Sequence, residues 1–489
     1  METTVTAAAN QTGGAPAGKE KQPPAITMIF FTEMWERFSY YGMRALLVLY
    51  LVNAIGIPRA SALQIYATYT GLVFLTPILG GFIADRWLGK RKGVLIGGLI
   101  IAMGHFAMAF PPLLYLALGL LLVGNGFFKP NMSTLLGSLY RENDSRRDAG
   151  FTIYYVGVNL GGFLAPLVAG TLGEKVGWHW GFGAAGVGMC LGLAQFIYSQ
   201  DKLGDAGLPK GKARLDRSDY IQVLLIAAAA IPLVYAIMAF WGVAGPMWGA
   251  VPDFLKLALP AAALIALLVY IKGSCPVEEF HGSIAIMVLV FFAAAFWMGF
   301  EQAGGTMNLF ADKQTDRMMF GWEMPATVLQ SVNSMMILIL GVPMAMFWAW
   351  IDSTRFALST PAKMASALVI LGLGFVVMAI ADGQTAGGAK VGPQWLLMVY
   401  VIHTVAELCL SPIGLSMVTK LAPVRLIALM MGIWYISNSA GSYLAGVMED
   451  WLKGSSIPLY WFLVMTSVGA GVLLFALTPL IKKLLHGRA

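Results

Sequence analysis

Seven charged residues lie inside long apolar runs of this sequence, away from the polar stretches where charges normally occur. They are Glu33, Glu36, Arg37, Arg44, Lys129, Glu301 and Glu407. If these runs cross a membrane, each charge costs roughly 2.5–3.5 kcal/mol on insertion scales, so such residues pair with one another or line a polar cavity. We therefore treat all seven as candidate functional residues.

The first apolar run carries the densest set of these charges. Glu33, Arg37, Tyr41 and Arg44 are spaced so that they share one face of a helix, with Glu36 beside them. Lipid cannot solvate this face, which must point into the protein. A purely structural network of ion pairs is the alternative, but seven charges spread along the whole chain favour a functional cavity.

The distribution of charge along the chain indicates what such a cavity would bind. The cations Arg37, Arg44 and Lys129 all lie in the first half, whereas Glu301 and Glu407 lie in the second. A positive wall facing a negative wall suits a zwitterion, and two peptide residues span at most about 7 Å. The acids outnumber the bases by one, which favours one carboxyl group that takes up a proton readily.

Polar and aromatic residues in other apolar runs fit the same cavity. Asn159 and Asn333 offer the donors and acceptors that a peptide bond requires. Trp297 and Trp434 are candidate walls for side-chain pockets, although a packed membrane aromatic is the simpler interpretation of each. His403 precedes Glu407 by one helical turn and is either a proton relay or, more simply, a satisfied buried histidine.

The composition supports a membrane protein. Of 489 residues, 58% are hydrophobic and 12% are charged, whereas soluble domains carry about 25% charged residues. The net charge of +7 comes mostly from short loops between apolar runs, which points to membrane topology and not to nucleic acid. The three cysteines lack metal-ligand spacing and are expected to be free thiols, and we expect no metal or other cofactor.

Apolar runs long enough to span a bilayer predict an all-α polytopic protein with about fourteen helices. We place them at 26–54, 62–84, 92–112, 114–138, 149–172, 180–200, 219–243, 252–272, 283–310, 325–351, 361–381, 394–420, 426–450 and 457–480. Basic residues are concentrated in alternate loops, which predicts that both termini are cytoplasmic.

The polar stretch after the sixth run divides the chain. We predict a disordered cytoplasmic tail at 1–25, a six-helix bundle at 26–200 and a cytoplasmic linker at 201–218. An inserted helix pair, 219–273, precedes a second six-helix bundle at 274–484. Transporters with two six-helix halves bind substrate between the halves.

Six motifs in the sequence resemble those of the proton-coupled oligopeptide transporter family, which belongs to the major facilitator superfamily. The segment that begins at Glu33 is similar to its ExxERFxYYG motif. The others are Phe127 to Asn131 (FxKPN), Asp148 to Pro166 (the fifth-helix motif), Phe296 to Gln302 (FWxxxEQ), Gln330 to Asn333 (QSxN) and the run from Glu407 (ExxxSPxGLSxxTKLAP).

This resemblance implies alternating access by a monomer in the inner membrane, with di- and tripeptides imported together with protons and no enzymatic activity. It implies that Arg37, Arg44 and Lys129 receive the peptide carboxylate and that Glu407 receives its amino group. Tyr41, Asn159 and Asn333 would contact the peptide, Trp297 and Trp434 would line pockets, and Glu33, Glu36 and Glu301 would couple protons.

Two positions depart from the family pattern. Ala67 stands where some members carry a second-helix histidine, so proton coupling should fall on the glutamates. Phe74 stands where a substrate-facing tyrosine is common, which removes one hydroxyl contact. A transporter of the same fold with another solute, such as nitrate, a drug or a metabolite, remains the alternative. A membrane sensor or enzyme is disfavoured by the lack of a nucleophile triad or a phosphate loop.

Overall fold

The computed structural model describes residues 21–141, 144, 146–208, 212, 214–249, 253–319 and 321–484. Most of the predicted tail lies outside these residues. The helices of the first half are α1 (Ile26–Leu49), α2 (Arg59–Leu72), α3 (Thr76–Ile83), α4 (Lys90–Met108), α5 (Leu114–Gly137), α6 (Arg147–Ala165), α7 (Thr171–Lys175) and α8 (Trp178–Tyr198).

A helix pair and the second half follow. The pair comprises α9 (Arg217–Gly249) and α10 (Asp253–Ser274). The second half comprises α11 (Val277–Phe300), α12 (Thr306–Lys313), α13 (Ser331–Asp352), α14 (Thr360–Gln384), α15 (Gln394–Leu421), α16 (Ile427–Trp451) and α17 (Leu459–Leu484). Two short antiparallel strands, β1 (Met318–Met319) and β2 (Trp322–Glu323), form a hairpin between α12 and α13.

Three membrane spans consist of two helices each: α2 with α3, α6 with α7, and α11 with α12. A π-helical turn at Pro166–Gly170 joins α6 to α7, where Pro166 lacks the backbone donor of a regular helix. Counted in this way, the spans in the described part of the chain number fourteen, which confirms the predicted fold. Eleven of the described stretches are long and apolar enough to cross a membrane; α1, with its four charges, is not among them.

The fourteen spans form two six-helix bundles with the helix pair between them in the chain. In the first bundle α1 packs on α6 and α8, and in the second α14 packs on α15 and α17. The bundles meet along α2 with α16 and along α6 with α13. A Cβ atom on Gly446 of α16 would lie 2.3 Å from the Ala67 Cβ of α2, so the glycine permits this close approach. The domain boundaries that we drew from the sequence stay predictions.

The inserted pair is attached to the first bundle by its first helix. The Lys92 ammonium of α4 lies 3.1 Å from the Asp219 carboxylate of α9, and both side chains are buried. Farther along, Val234 of α9 fills the space that Gly119 leaves open on α5. The helix pair therefore has a polar anchor at its beginning, which its apolar sequence did not suggest.

Cross-bundle contacts close one end of the molecule. We call this the closed end; it carries the loops 55–58, 314–325 and 452–458. There Arg59 Nε donates to Glu449 at 2.8 Å, and Asn53 Nδ2 donates to Asp312 at 3.0 Å. Among the described residues, every ion pair between the bundles lies toward this end.

Glu174 makes the densest of these cross-bundle contacts. Its carboxylate accepts hydrogen bonds from the backbone N–H groups of Ala326 and Thr327, both at 2.9 Å, and from the Thr327 hydroxyl at 2.7 Å. Arg317 lies 3.5 Å away. The two N–H groups begin the 3-10 turn that leads into α13, where a helix has unpaired donors and favours a negative charge.

A second ion pair supports this contact from the adjacent loop. Lys175 donates to Glu323 of β2 at 3.0 Å, and this hydrogen bond lowers the pKa of the Glu323 carboxyl below its usual value. Neighbouring residues of α7 thus hold the 314–325 segment and the turn that follows it at once. Opening the closed end requires both contacts to break.

Substitution of Glu174 should shift the molecule toward opening of the closed end. Hydrogen bonds to charged groups contribute about 1.5–3 kcal/mol each, so Glu174→Ala should raise the open population at least about tenfold. Spin labels at the exposed positions Val176 and Trp322, in a background without the three cysteines, would report this as longer distances by double electron–electron resonance.

Asp450→Ala is the matched control, because the Asp450 ion pair with Lys453 stays within the second bundle at the same end. An unchanged distance distribution in Glu174→Ala, or an equal shift in the control, would show that Glu174 does not hold this end closed.

Candidate functional site

The charged face of α1 forms a buried ion cluster. The Arg37 guanidinium donates to both carboxylate oxygens of Glu36, from Nε to Oε2 and from Nη2 to Oε1 at 2.7 Å. Arg37 Nε also lies 3.4 Å from Glu33 Oε1. All three side chains are almost fully buried. Two parallel N–H···O bonds fix the Arg37–Glu36 pair more firmly than a single contact would.

Asn125 of α5 joins this cluster, although the sequence analysis did not single it out. Its Nδ2 donates to Glu36 Oε1 at 3.3 Å, and the residue is buried. A polar amide between two glycines, Gly124 and Gly126, in an otherwise apolar run was the signal that could have revealed it.

Arg44 and Glu301 form an ion pair between the two bundles. Arg44 Nη2 donates to Glu301 Oε2 at 2.7 Å, and both side chains are about nine-tenths buried. The Tyr66 hydroxyl of α2 lies 3.4 Å from the same oxygen. Glu301 begins the 3-10 turn between α11 and α12, and Gly304 in that turn leaves room for the Tyr66 ring. The break in this span thus positions both the acid and its tyrosine neighbour.

Glu407 of α15 has a different environment. Asn333 Nδ2 donates to Glu407 Oε2 at 2.9 Å and to the Thr404 hydroxyl at 3.0 Å. His403, one turn earlier, packs its ring against Phe375 and Gly374 of α14. His403 also borders the pocket described below, so both interpretations of this residue stay predictions.

Lys129 and Glu407 differ from the other five charges. The Lys129 ammonium lies 5.1 Å from the centre of the Phe74 ring, which is within the range of a cation–π contact. Within the described part of the chain, neither Lys129 nor Glu407 has an oppositely charged side chain within 4.0 Å. The unpaired charges are therefore one cation of the first bundle and one acid of the second.

A pocket between the bundles brings three predicted site residues together, namely Tyr41, Arg44 and Asn333. Its other lining residues are Gly162, Pro166, Phe300, Ala303, Gln330, Ser334, Tyr400 and His403. Tyr41 lies within electrostatic reach of Arg37 and Glu407, and the Arg44 guanidinium carbon lies 6.0 Å from the centre of its ring.

Ten of the thirteen predicted site residues do not line this pocket, Lys129 and Glu407 among them. Three of the ten are packed elsewhere. Asn159 is buried and donates to the Tyr155 carbonyl of its own helix at 2.9 Å. Trp297 packs among phenylalanines with its indole nitrogen buried and, within the described chain, without an acceptor. Trp434 is 3% exposed and stacks against Gly414 of α15. In this conformation the packed-aromatic interpretation fits Trp434, because its ring fills the space between α15 and α16.

The position of Ala67 accounts for the missing histidine. Ala67 is fully buried, and its Cβ packs into the space left by Gly446 of α16. An imidazole would not fit between these helices. Across the described residues, no group of three or more His, Cys, Asp or Glu side chains is placed to hold a metal ion.

Comparisons with known proteins agree with this architecture. The model of the POT family, PTR2, matches residues 91–460. The uncharacterized transporter YclF of Bacillus subtilis is 35% identical, with 95% of each chain covered. The peptide transporter YePEPT of Yersinia enterocolitica is 32% identical, again over 95% of each chain. A crystal structure of a POT peptide transporter in complex with alafosfalin superimposes with a TM-score of 0.81 at 35% identity and 96% coverage of both chains. The chain therefore belongs to the POT family of transporters.

Proposed function

We propose that this protein imports di- and tripeptides together with protons by alternating access between its two bundles. The proposal rests on two charged residues that have no ion-pair partner in the described part of the chain. These are Lys129 in the first bundle and Glu407 in the second. A zwitterionic peptide would supply the missing partner of each, with its carboxylate toward Lys129 and its ammonium group toward Glu407. Relatives described as peptide transporters support this substrate class.

The remaining site residues would orient the peptide. Arg37 and Arg44 would add positive charge beside the carboxylate, and Tyr41 would border it between the bundles. Asn333 is already hydrogen-bonded to Glu407, so it would hold that carboxylate toward the peptide amino group. The Asn159 side chain and the aromatic residues Phe74, Trp297 and Trp434 would come into contact with the peptide as the bundles move.

Glu301 would link protonation to the closed end. Its ion pair with Arg44 joins the bundles, and a proton on Glu301 would remove the charge that holds Arg44. The bundles could then separate at the closed end. Glu33 and Glu36 would be the other coupling acids, and no cofactor besides the proton is required.

We place the closed end outside the cell, since basic residues, including Arg86 between α3 and α4 and Lys90 and Arg91 at the start of α4, lie at the opposite end. Both termini would then be cytoplasmic, and the conformation would be inward-facing. We propose the inner membrane as the location, a single chain as the transporting unit and no enzymatic activity.

Another small solute, such as nitrate, a drug or a metabolite, is the second candidate. It is favoured by one observation, the replacement of a common tyrosine by Phe74, which changes the surroundings of Lys129. A competition assay distinguishes the two candidates. If the protein is a peptide carrier, an excess of dialanine should inhibit uptake of the alternative solute.

The proposal predicts that purified protein in proteoliposomes accumulates labelled dialanine when the outside is acidic. Glu33→Gln should abolish accumulation above equilibrium while leaving counterflow exchange of dialanine, because a coupling acid is needed only for the proton. The wild type should lose accumulation when an ionophore removes the proton gradient. Absence of gradient-driven uptake across a broad peptide panel would refute the proposal.

A second prediction concerns the peptide amino group. Glu407→Gln should weaken dialanine binding about 10- to 100-fold, since a hydrogen bond to a charged group contributes about 1.5–3 kcal/mol. Binding of N-acetyl-dialanine, already weak, should hardly change between the wild type and the variant. Competition binding measures both ligands.

Asp352→Asn serves as the control, because that acid pairs with Lys363 within the second bundle and away from the pocket. Equal losses for the free and the acetylated peptide would mean that Glu407 does not recognise the amino group.

A further inference from the structure

We propose that Gln302 is a positioning residue whose side-chain amide sets the width of the gap in which the second bundle holds α2. One side of this gap is the 3-10 turn that carries Glu301, and the other side is α16. The inference rests on the proposed alternating access, because α2 has to leave this gap when the closed end opens. It gives Gln302 a role separate from that of the acid beside it in the chain.

Two neighbouring residues of α2 occupy the gap. The Tyr66 hydroxyl lies 3.4 Å from Glu301 Oε2, and a Cβ atom on Gly304 would lie 2.0 Å from that hydroxyl oxygen. On the other side, a Cβ atom on Gly446 would lie 2.3 Å from the Ala67 Cβ. A side chain at either glycine would overlap with α2, so the distance between the turn and α16 has to be fixed closely.

The Gln302 amide joins the two sides of the gap. Its Nε2 donates to the Ala445 carbonyl of α16 at 3.0 Å and to the Met298 carbonyl near the end of α11 at 3.3 Å. Its Oε1 accepts from the Thr306 hydroxyl at the start of α12 at 2.7 Å, and Tyr460 of α17 contacts the same hydroxyl. Since a carbonyl oxygen only accepts, the amide nitrogen has to face the two carbonyls. One buried side chain therefore ties both helices that flank the turn to α16.

The turn requires such a tie because the span is interrupted there. Gly305, which ends the turn Glu301–Gly304, has φ −104° and ψ −104°, outside the helical region. The ladder of hydrogen bonds that would hold a continuous helix is broken at this point. The Tyr400 hydroxyl of α15 adds a hydrogen bond to the Ala303 carbonyl at 3.3 Å. Both ties stay within the second bundle, so they keep Glu301 in place when the first bundle moves away.

The hydrogen bond between Gln302 and Ala445 lies directly behind the contacts with α2. Gln302 follows Glu301 in the chain, so its amide and the carboxylate that faces Tyr66 move together. Ala445 precedes Gly446, so its carbonyl and the contact of α16 with α2 also move together. A buried amide that lost its partners would be costly, which keeps the two sides at one distance. Loss of the amide should let them separate.

A double variant tests this role, with spin labels at Val176 and Trp322 again reporting the opening of the closed end. Gly446→Ala places a methyl group where α2 leaves no room. It should raise the open population about tenfold or more in the otherwise wild-type protein, because overpacking destabilises the closed conformation. In the Gln302→Met background α16 can move away from the turn, so the same Gly446→Ala change should raise the open population less than about threefold.

Gln314→Met is the matched control, because the Gln314 amide lies at the end of the same span and donates to the Thr385 hydroxyl within the second bundle at 2.8 Å. Gly446→Ala should keep its full effect in that background. Two variants of Thr306 test the same role if Gln302→Met does not fold. Thr306→Val removes the hydroxyl that orients the Gln302 amide and should reduce the effect of Gly446→Ala, whereas Thr306→Ser keeps the hydroxyl and the effect.

The inference is overturned if Gly446→Ala raises the open population by the same factor with and without Gln302→Met, or if it has no effect in the wild-type background. An equal reduction in the Gln314→Met control, or a Thr306→Ser variant that behaves like Thr306→Val, would overturn it as well. These distances are measured without transport. Absence of dialanine uptake by the wild type would therefore count against the proposed function alone.

Discussion

Lipid cannot solvate a charge, so a charged side chain within the membrane spans has to meet a partner inside the protein or face a polar cavity. Arg37 is held by two acids of its own helix, and Arg44 is held by Glu301 of the other bundle. Among the described residues these pairs leave Lys129 and Glu407 without an oppositely charged partner, which the proposed peptide would supply. This arrangement of charges accommodates two partners. A zwitterion would pair with Lys129 and Glu407, and a proton would neutralise one of the acids.

The same constraint shapes the connection between the bundles. Their apolar surfaces gain little from association within lipid, and close packing and polar contacts must supply the specificity. Small residues such as Gly446 allow α2 and α16 to approach, while Glu174 and Arg59 add charged contacts at the closed end. Packing can accommodate sliding of one bundle past the other, whereas the charged contacts break in discrete steps. This combination suits a molecule that alternates between two conformations.

Much of the architecture could be predicted from the sequence. Apolar run length indicated all fourteen spans, and motif resemblance indicated the family, because both depend on local residue order. The buried charges could also be found, since a charge in an apolar run is conspicuous. The spacing of residues in the sequence did not reveal which acid pairs with Arg37. Glu36 lies closer to Arg37 than Glu33 does, although Glu33 has the helical i, i+4 spacing.

Residues that act through tertiary contacts were the least predictable. Glu174 follows an apolar run like any loop acid, and its hydrogen bonds reach a helix start about 150 residues later in the chain. Asn125 depends on three helices that meet at neighbouring glycines. Trp434 occupies a gap between α15 and α16 whose size only the folded backbone defines. In each case the role of the side chain depends on a distance between helices of the folded protein. The spacing of residues in the sequence does not give that distance.

Peptide–proton symport requires that a neutral zwitterion crosses the membrane together with a proton. Charge movement tests it most directly, because dialanine carries no net charge at neutral pH and any current that accompanies it belongs to the proton. Proteoliposomes on a solid-supported membrane should give an inward positive current when dialanine is added without a pH gradient, and Glu33→Gln should abolish the sustained component. Dialanine uptake without charge movement in the wild type would contradict the account.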